Sequence, residues 1–445
     1  MASTYLTYTP SSTGSTTKAT LSVWAKRANI GAEGFVFYAK NDSSYQTRLN
    51  FQPADTLYMN NVHGGSNDGV LTTNAVYRDP SAFYHIVASW DTTQATASNR
   101  FKLWVNGVQQ TFTGSSYPAQ DRNMRFNESG STMYIGNQVS ANYFEGIYSH
   151  FHWIDGTAYQ ASDFGETDST TGEWKIKTSP SVTYGTNGAF ILKDGNSVTD
   201  QSGQGNNWAV AGGTLTKTED NPSNVFATLN PLNVATSDAP TFTNGNTTTE
   251  SATTSGQRFM GSSTIGASTG KYYAECRIKV VDSTSAGVSP DVSTHAKDNT
   301  FIGSHAHDWA ILFGSGNKYN NDSGTTHGDA FFVDDILMIA MDLDNNNVYF
   351  GRNGNWFDGS GNANQSSPNS ALSLTARAST PDGFYFFGCS DGGGSAKGKC
   401  EWNFGNGYFG TTQISSEGTN ASGIGKFEFN VPAGYTALST KGLNL

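Results

Sequence analysis

The sequence predicts an all-β protein made of two antiparallel, jelly-roll-like β-sandwiches joined by a partly structured connector. Three observations carry that prediction. Only 14% of residues are charged, and polarity comes instead from Ser, Thr, Asn and 50 glycines, the composition of tight polar turns. Aromatics reach 13%, enough Phe, Tyr and Trp to fill cores and too many for a disordered chain. Apolar residues fall into short alternating runs, and no stretch keeps a 3.6-residue period beyond two turns. At 445 residues the chain is too long for one ordinary domain.

The elements follow in order. Ala19 to Ala25 alternates as a half-buried strand, and Gly34 to Ala39 is a compact aromatic run after a Gly-rich turn. Phe83 to Trp90 reads as a core strand ending at Asp91. Phe101 to Val105 runs into Asn106-Gly107, and apolar alternation resumes over Val108 to Phe112. Asn-Gly between alternating runs predicts a hairpin, since both residues tolerate the positive φ of a type I′ turn. Met133 to Ile135 and Gly146 to Ile154 add two strands. The pattern then loosens, with one helical turn near Ala161 and isolated strands at Gly188 to Leu192 and Asn207 to Val210.

The stretch from Ser237 to Ser255 is almost purely Ser, Thr, Asn and Gly, which suits a linker, a long surface loop or an ordered crossing between packed modules. Beyond it, Lys271 to Val281 alternates and Asp335 to Leu343 is nearly all apolar, as in a strand covered on both faces. Val348 to Phe350, Gly383 to Cys389 and Lys399 to Phe404 complete the second set. These runs divide the chain into a sandwich over 1–165, a connector over 166–256 and a second sandwich over 257–445. Phe190, Trp208, Phe226 and Leu229 are too apolar for a free linker, so the connector is expected to pack, mainly on the first domain.

Charge excludes one class of partner. Twenty-six basic residues against 37 acidic ones leave a net charge of −11, which repels phosphate backbones. No nucleic-acid partner is expected, nor membrane insertion, because no run of apolar residues is long enough to span. The N-terminus carries neither the charged nor the apolar region of a secretory signal. Cys276, Cys389 and Cys400 are too few for a disulfide framework and read as buried free thiols, although Cys276 and Cys400 would meet if their strands pair.

Two local patterns resemble known families. FYHIVASWD (Phe83–Asp91), FKLWVNGV (Phe101–Val108), YIGN (Tyr134–Asn137) and FEGIYSHFHWIDG (Phe144–Gly156) resemble, in that order, the motifs of laminin-G/concanavalin A-like domains. STIGASTGKYYAECRI (Ser263–Ile278), ILMIAMDLDNNNVYFGRNG (Ile336–Gly354) and KCEWNFG (Lys399–Gly405) resemble a SPRY domain. ASDFGE (Ala161–Glu166), YGTNGAF (Tyr184–Phe190), DQSGQGNNW (Asp200–Trp208) and NPSNVFATLNPL (Asn221–Leu232) are similar to segments of bacteriophage tail-fibre-like and other virion proteins. The resemblance implies a virion protein, released by lysis, that binds a host-surface glycan or other virion proteins. An appendage of that kind implies homo-trimers, although no heptad stalk is present to specify them.

Catalytic signatures are missing from the sequence. The Glu-x-Asp-x-x-Glu of concanavalin-like glucanases is not found, nor is a nucleophile elbow or a phosphate-binding loop. Asp334-Asp335 and Asp342-Leu-Asp344 fall at a strand start and a hairpin turn, where a structural role is expected. The chain therefore reads as a non-enzymatic binding protein that requires no cofactor. Calcium at the first sandwich rim is the exception the resemblance allows, with Asp55, Asp68 and Asp121 as loop oxygens. His305-Ala-His307 with Asp308 forms a weak metal-ligand pattern, with His295 ten residues upstream. His85 is expected to be a satisfied structural histidine. As sugar-stacking aromatics the second module offers Trp309, Tyr319 and Trp356, and the first offers Tyr58 and Tyr143.

Overall fold

The computed structural model describes residues 3–139, 141–193, 197–235, 238–254 and 256–445, with Asn41 described by its backbone alone. The chain divides into two compact units, Met1–Lys217 and Thr218–Leu445. Residues 166–217 thus lie in the first unit and 218–256 in the second.

The first unit is a sandwich of two antiparallel sheets. One has eight strands, ordered Phe112–Ser116, Ser66–Thr73, Leu57–His63, Tyr45–Phe51, Gly34–Asp42, Thr132–Ile135, Tyr5–Tyr8 and Ala209–Gly212. The other has six, ordered Ala189–Ile191, Gly146–Asp155, Lys18–Arg27, Tyr84–Asp91, Phe101–Val105 and Val108–Gln109. Inward-facing aromatics weld the layers. Phe37 stacks on Trp153 with ring centroids 4.6 Å apart, and Trp90 lies 6.0 Å from Trp153. The expected Asn-Gly hairpin forms, with Asn106 at φ 47° and Gly107 at φ 79°. Phe112 does not continue that hairpin but starts an edge strand of the opposite sheet. Trp208 is buried in this core, so that part of the connector packs here.

The outer face of the six-stranded sheet is covered as well. Val87, Trp104, Ile154, Ala161 and Phe164 form a smaller core there, roofed by Trp174 of the hairpin Gly165–Thr167/Trp174–Ile176. A sheet buried on both faces explains the long apolar runs of its central strands.

The second unit is also a two-layer sandwich. Its larger sheet has ten strands, with the run Thr241–Thr243, Thr248–Glu250, Lys399–Asn403, Lys271–Ile278, Ile336–Asp342, Asn347–Arg352, Asn355–Phe357 and Ala363–Gln365. Its smaller sheet is ordered Arg258–Ser262, Phe386–Asp391, Thr284–Ser289, Trp309–Leu312, Asn317–Asn320 and Ser323–Thr325. Pairing between its strands is antiparallel except that Thr436–Ala437 runs parallel to Lys271–Ile278, and an isolated bridge between Asn406 and Lys426 is also parallel. A short helix, Val292–Asp298, interrupts the strands. The Ser/Thr/Asn/Gly stretch, where described, is ordered and supplies two strands of this sheet. Three of its threonines, Thr247, Thr248 and Thr249, are buried, and the Thr249 hydroxyl donates to the Met260 carbonyl at 2.9 Å. Phe226 and Leu229 belong to cores of this unit rather than the first.

The three cysteines are free thiols buried in the second core. Cys276 and Cys400 do lie on paired strands, in register with Trp402 and Ile278 respectively. Burial pushes the Cys276 thiol up and raises Cys389 and Cys400 well above the usual thiol range. Among the described residues, no helix is long and apolar enough to cross a membrane.

Candidate functional site

In the first unit a pocket opens at one rim, where the turn after Lys18–Arg27 meets residues 143–145. Arg27, Asn29, Glu33, Tyr143, Phe144 and Glu145 line it, above Phe51. Arg27 is fixed from below: its guanidinium sits 4.3 Å over the Phe51 ring, donates to Asp55 Oδ1 at 3.1 Å and to the Tyr77 carbonyl, and is 2% exposed. Glu33 accepts the side-chain amides of Asn50 at 3.0 Å and Asn142 at 2.8 Å. Burial raises the pKa of Glu145. Phe144 stacks on Tyr148 at 4.2 Å, which holds the aromatic wall in place. Gly146 permits this packing, since at φ 155° a Cβ would lie 2.1 Å from the Lys26 carbonyl and 2.7 Å from the Phe144 ring. The hollow itself has room for about one water molecule, and Arg27 is sealed beneath it, so the groups it turns outward are the half-buried Tyr143, Phe144 and Glu33 and the exposed Asn29.

The aromatics singled out from sequence separate into four groups. Tyr143 lines the pocket, half-buried, with its ring 6.1 Å from Tyr5. Tyr58 lies on the eight-stranded sheet beneath the Arg48 guanidinium, away from the pocket. Trp309 and Tyr319 are half-buried on paired strands of the second unit, and Trp309 Nε1 donates to the Ser373 carbonyl at 2.8 Å. Trp356 is not a binding residue but a core one, 3% exposed and packed with Tyr273 and Phe427, because its strand turns that face inward.

Asp55, Asp68 and Asp121 do not gather into one group of carboxylates among the described residues. Asp55 is held by Arg27, Arg78 and the Gly31 N–H, and Asp68 accepts Arg122 at 2.7 Å, so each carboxylate is already neutralised by a guanidinium. Asp121 is exposed. Asp342 and Asp344 serve their turn: Asp342 pairs with Lys271 at 2.9 Å and caps Asn345, while Asp344 accepts the Gly270 N–H.

His85 is structural. Its Nδ1 accepts the Trp174 indole N–H at 2.9 Å, which leaves Nε2 to donate to Ser22 Oγ at 2.9 Å, and Trp24 stacks on it at 4.7 Å. Burial lowers its pKa to about 3.

In the second unit the histidine pattern resolves into a different trio from the one its spacing suggested. His305 and Asp308 come together with His295, their ligand-type atoms all within 4.8 Å, and no other such group of three occurs among the described residues. His307 turns away, with its Nδ1 3.0 Å from Thr375 Oγ1. His295, visible in the sequence ten residues upstream, takes the place expected of His307 because the helix Val292–Asp298 and the loop after it fold it back.

Residues 1–163 match the family model described as the concanavalin A-like lectin/glucanases superfamily, which identifies the first sandwich as a domain of that kind. No curated protein matches the chain. Among solved structures, the SPRY domain of human HERC1 aligns at 16% identity over 39% of this chain and 96% of its own, with a TM-score of 0.29. A native heptameric SAP-like pentraxin from Limulus polyphemus aligns at 15% identity over 35% of this chain and 71% of its own, with a TM-score of 0.27. A human SPRY domain aligns at 17% identity over 35% and 90%, with a TM-score of 0.25.

Proposed function

We propose that this chain is a non-enzymatic carbohydrate-binding protein that holds a saccharide against the rim of its concanavalin A-like domain, over the side chains around Tyr143. The observation that carries the reading is the rim cluster, in which the half-buried Tyr143 and Phe144 stand beside Asn29 and Glu33. An apolar ring face and fixed polar groups are what a sugar needs, since its C–H face stacks while its hydroxyls pair. We further read the chain as a virion component, an adhesin or a decoration protein, that meets host-surface glycans. The support for that role is the resemblance of residues 161–232 to segments of bacteriophage structural proteins.

The test is binding of the purified chain to a bacterial-surface glycan array, followed by calorimetric titration with the best ligand. Tyr143→Ala is expected to weaken binding at least about tenfold, the effect of losing one stacking face, with an unchanged melting curve. Absence of binding by the folded chain, or an unaffected Tyr143→Ala variant, overturns the proposal.

A second reading rests on Glu33 and Glu145, two carboxylates sharing that pocket, in a family whose description includes glucanases. The raised pKa of Glu145 would suit a general acid. Release of reducing ends from the bound glycan, abolished by Glu145→Gln, would favour hydrolysis over binding alone.

A further inference from the structure

We infer that His295, His305 and Asp308 in the second unit form a binding site for one divalent transition-metal ion, with zinc the ion their donors suit best. The site is built from the loop upward. Asp308 is fully buried, and its Oδ2 accepts the backbone N–H groups of Gly303 and His305, each at 3.0 Å. The chain therefore wraps around one carboxylate and fixes its position. His295, also fully buried, aims Nε2 at the same oxygen from 2.9 Å. His305 stacks on His295 with ring centroids 4.2 Å apart and planes 10° apart.

The outer hydrogen bonds select the inner atoms. His305 Nδ1 pairs with Asp291 Oδ2 at 2.8 Å, and His295 Nδ1 meets Thr300 Oγ1 at 2.7 Å. An imidazole whose one nitrogen donates to a carboxylate or hydroxyl presents a lone pair on the other, the arrangement found around metal-bound histidines. His305 Nε2 is left with nothing better than a 3.5 Å contact to Thr300 Oγ1. Asp308 Oδ1 is buried with the Ser289 hydroxyl as its neighbouring donor. What carries the site is the convergence of three ligand-type atoms, one from each residue, within 4.8 Å of one another.

Two imidazoles and one carboxylate are a usual zinc donor set with an open fourth position. Zinc–ligand bonds near 2.0 Å place tetrahedral ligand atoms about 3.3 Å apart. The ligand atoms lie from 2.9 Å to within 4.8 Å of one another, and ligation would require the two stacked imidazoles to turn out of their parallel planes so that both lone pairs meet one ion. Solvent access comes past His305, whose side chain is 23% exposed. The bound ion would pin the helix Val292–Asp298 to the loop that follows it.

The experiment uses the full chain, stripped with chelator and dialysed. It is titrated with Zn²⁺ against a chromophoric chelator and, separately, with Co²⁺ followed by visible absorption. One ion per chain is expected, with the intense d–d bands of a four-coordinate Co²⁺ site and a rise in melting temperature on Zn²⁺ addition. His305→Asn should weaken uptake by more than about tenfold, whereas His307→Asn should leave it unchanged. No stoichiometric uptake by the folded wild-type chain overturns the site, as does uptake equally strong in His305→Asn. Should that variant fail to fold, the wild-type Co²⁺ spectrum decides: weak octahedral bands overturn the assignment and intense ones uphold it.

Discussion

Glu275 and Phe429, 154 positions apart, are joined by a hydrogen bond in which the Phe429 N–H donates to Glu275 Oε1 at 2.8 Å. The Glu428 N–H donates to Oε2 at 2.9 Å, and the Tyr273 hydroxyl and Asn403 amide complete the cradle. One carboxylate on the central strand Lys271–Ile278 thus anchors a late segment whose neighbours Phe427, Val431 and Tyr435 cover the outer face of the sheet. Glu275→Gln replaces one accepting oxygen with an N–H that faces a donor. It is expected to cost about 1–3 kcal/mol in urea unfolding.

That carboxylate also sets a pH dependence of unusual sign. Burial outweighs the four donors and raises Glu275 to about 7 from the ordinary 4.5. Between those values the folded chain keeps a proton that the unfolded chain has shed. Its contribution is therefore fully present below 4.5 and lost as pH rises through about 7. The advantage of wild type over Glu275→Gln should be larger at pH 5 than at pH 8, changing by at most about 1.4 kcal/mol per pH unit.

His85 acts in the opposite direction. With its pKa lowered to about 3, the folded chain refuses a proton that the unfolded chain accepts below about 6.5. Stability from this group is complete above 6.5 and drains as pH falls towards 3. A His85→Gln variant is expected to be less stable at pH 7, and to lose less than wild type between pH 6.5 and pH 4. Chemical denaturation at both pH values checks it.

The thiols give a test independent of titration. Cys276, Cys389 and Cys400 are buried, and their thiolates are disfavoured by that burial. None should react with a chromogenic disulfide reagent on the native time scale, and all three should react at once in denaturant. Rapid labelling of the folded chain would contradict the core placement.

Strands with clean signals were readable because their inward faces are apolar throughout: Tyr84–Asp91, Ile336–Asp342 and Lys399–Asn403 fall within a residue or so of the runs that predicted them. Tyr45–Phe51, Leu57–His63 and Ser66–Thr73 were not readable. They place Asn50, Asn60 and Asn61 in buried positions, which only tertiary partners make affordable: Asn60 accepts Arg48, and Asn61 accepts Thr47. Spacing that put His307 beside His305 failed for a related reason, since it assumed an extended chain where the structure has a loop folded around Asp308. The pocket around Tyr143 was only partly visible, because Arg27 and Glu33 reach it from a strand end and the turn that follows, far from Tyr143 in sequence.

Asp55 separates a buried ion pair from an exposed one on a single carboxylate. Burial works against its ionisation, yet the Gly31 N–H, Arg78 and Arg27 together hold it below the usual carboxylate range. Arg27 is 2% exposed and Arg78 is 58% exposed. An exposed pair in water contributes little, so Arg78→Ala should cost no more than about 1 kcal/mol. Asp55→Asn leaves the Arg27 guanidinium buried without its counter-charge, a change worth about 3–5 kcal/mol. Because Arg27 also lines the rim pocket, Asp55→Asn should weaken glycan binding at temperatures where the variant is still folded, while Arg78→Ala should not. Equal costs for the two substitutions would mean that Asp55 is more solvated than this geometry implies, and that Arg27 is held by Phe51 and the backbone carbonyls instead.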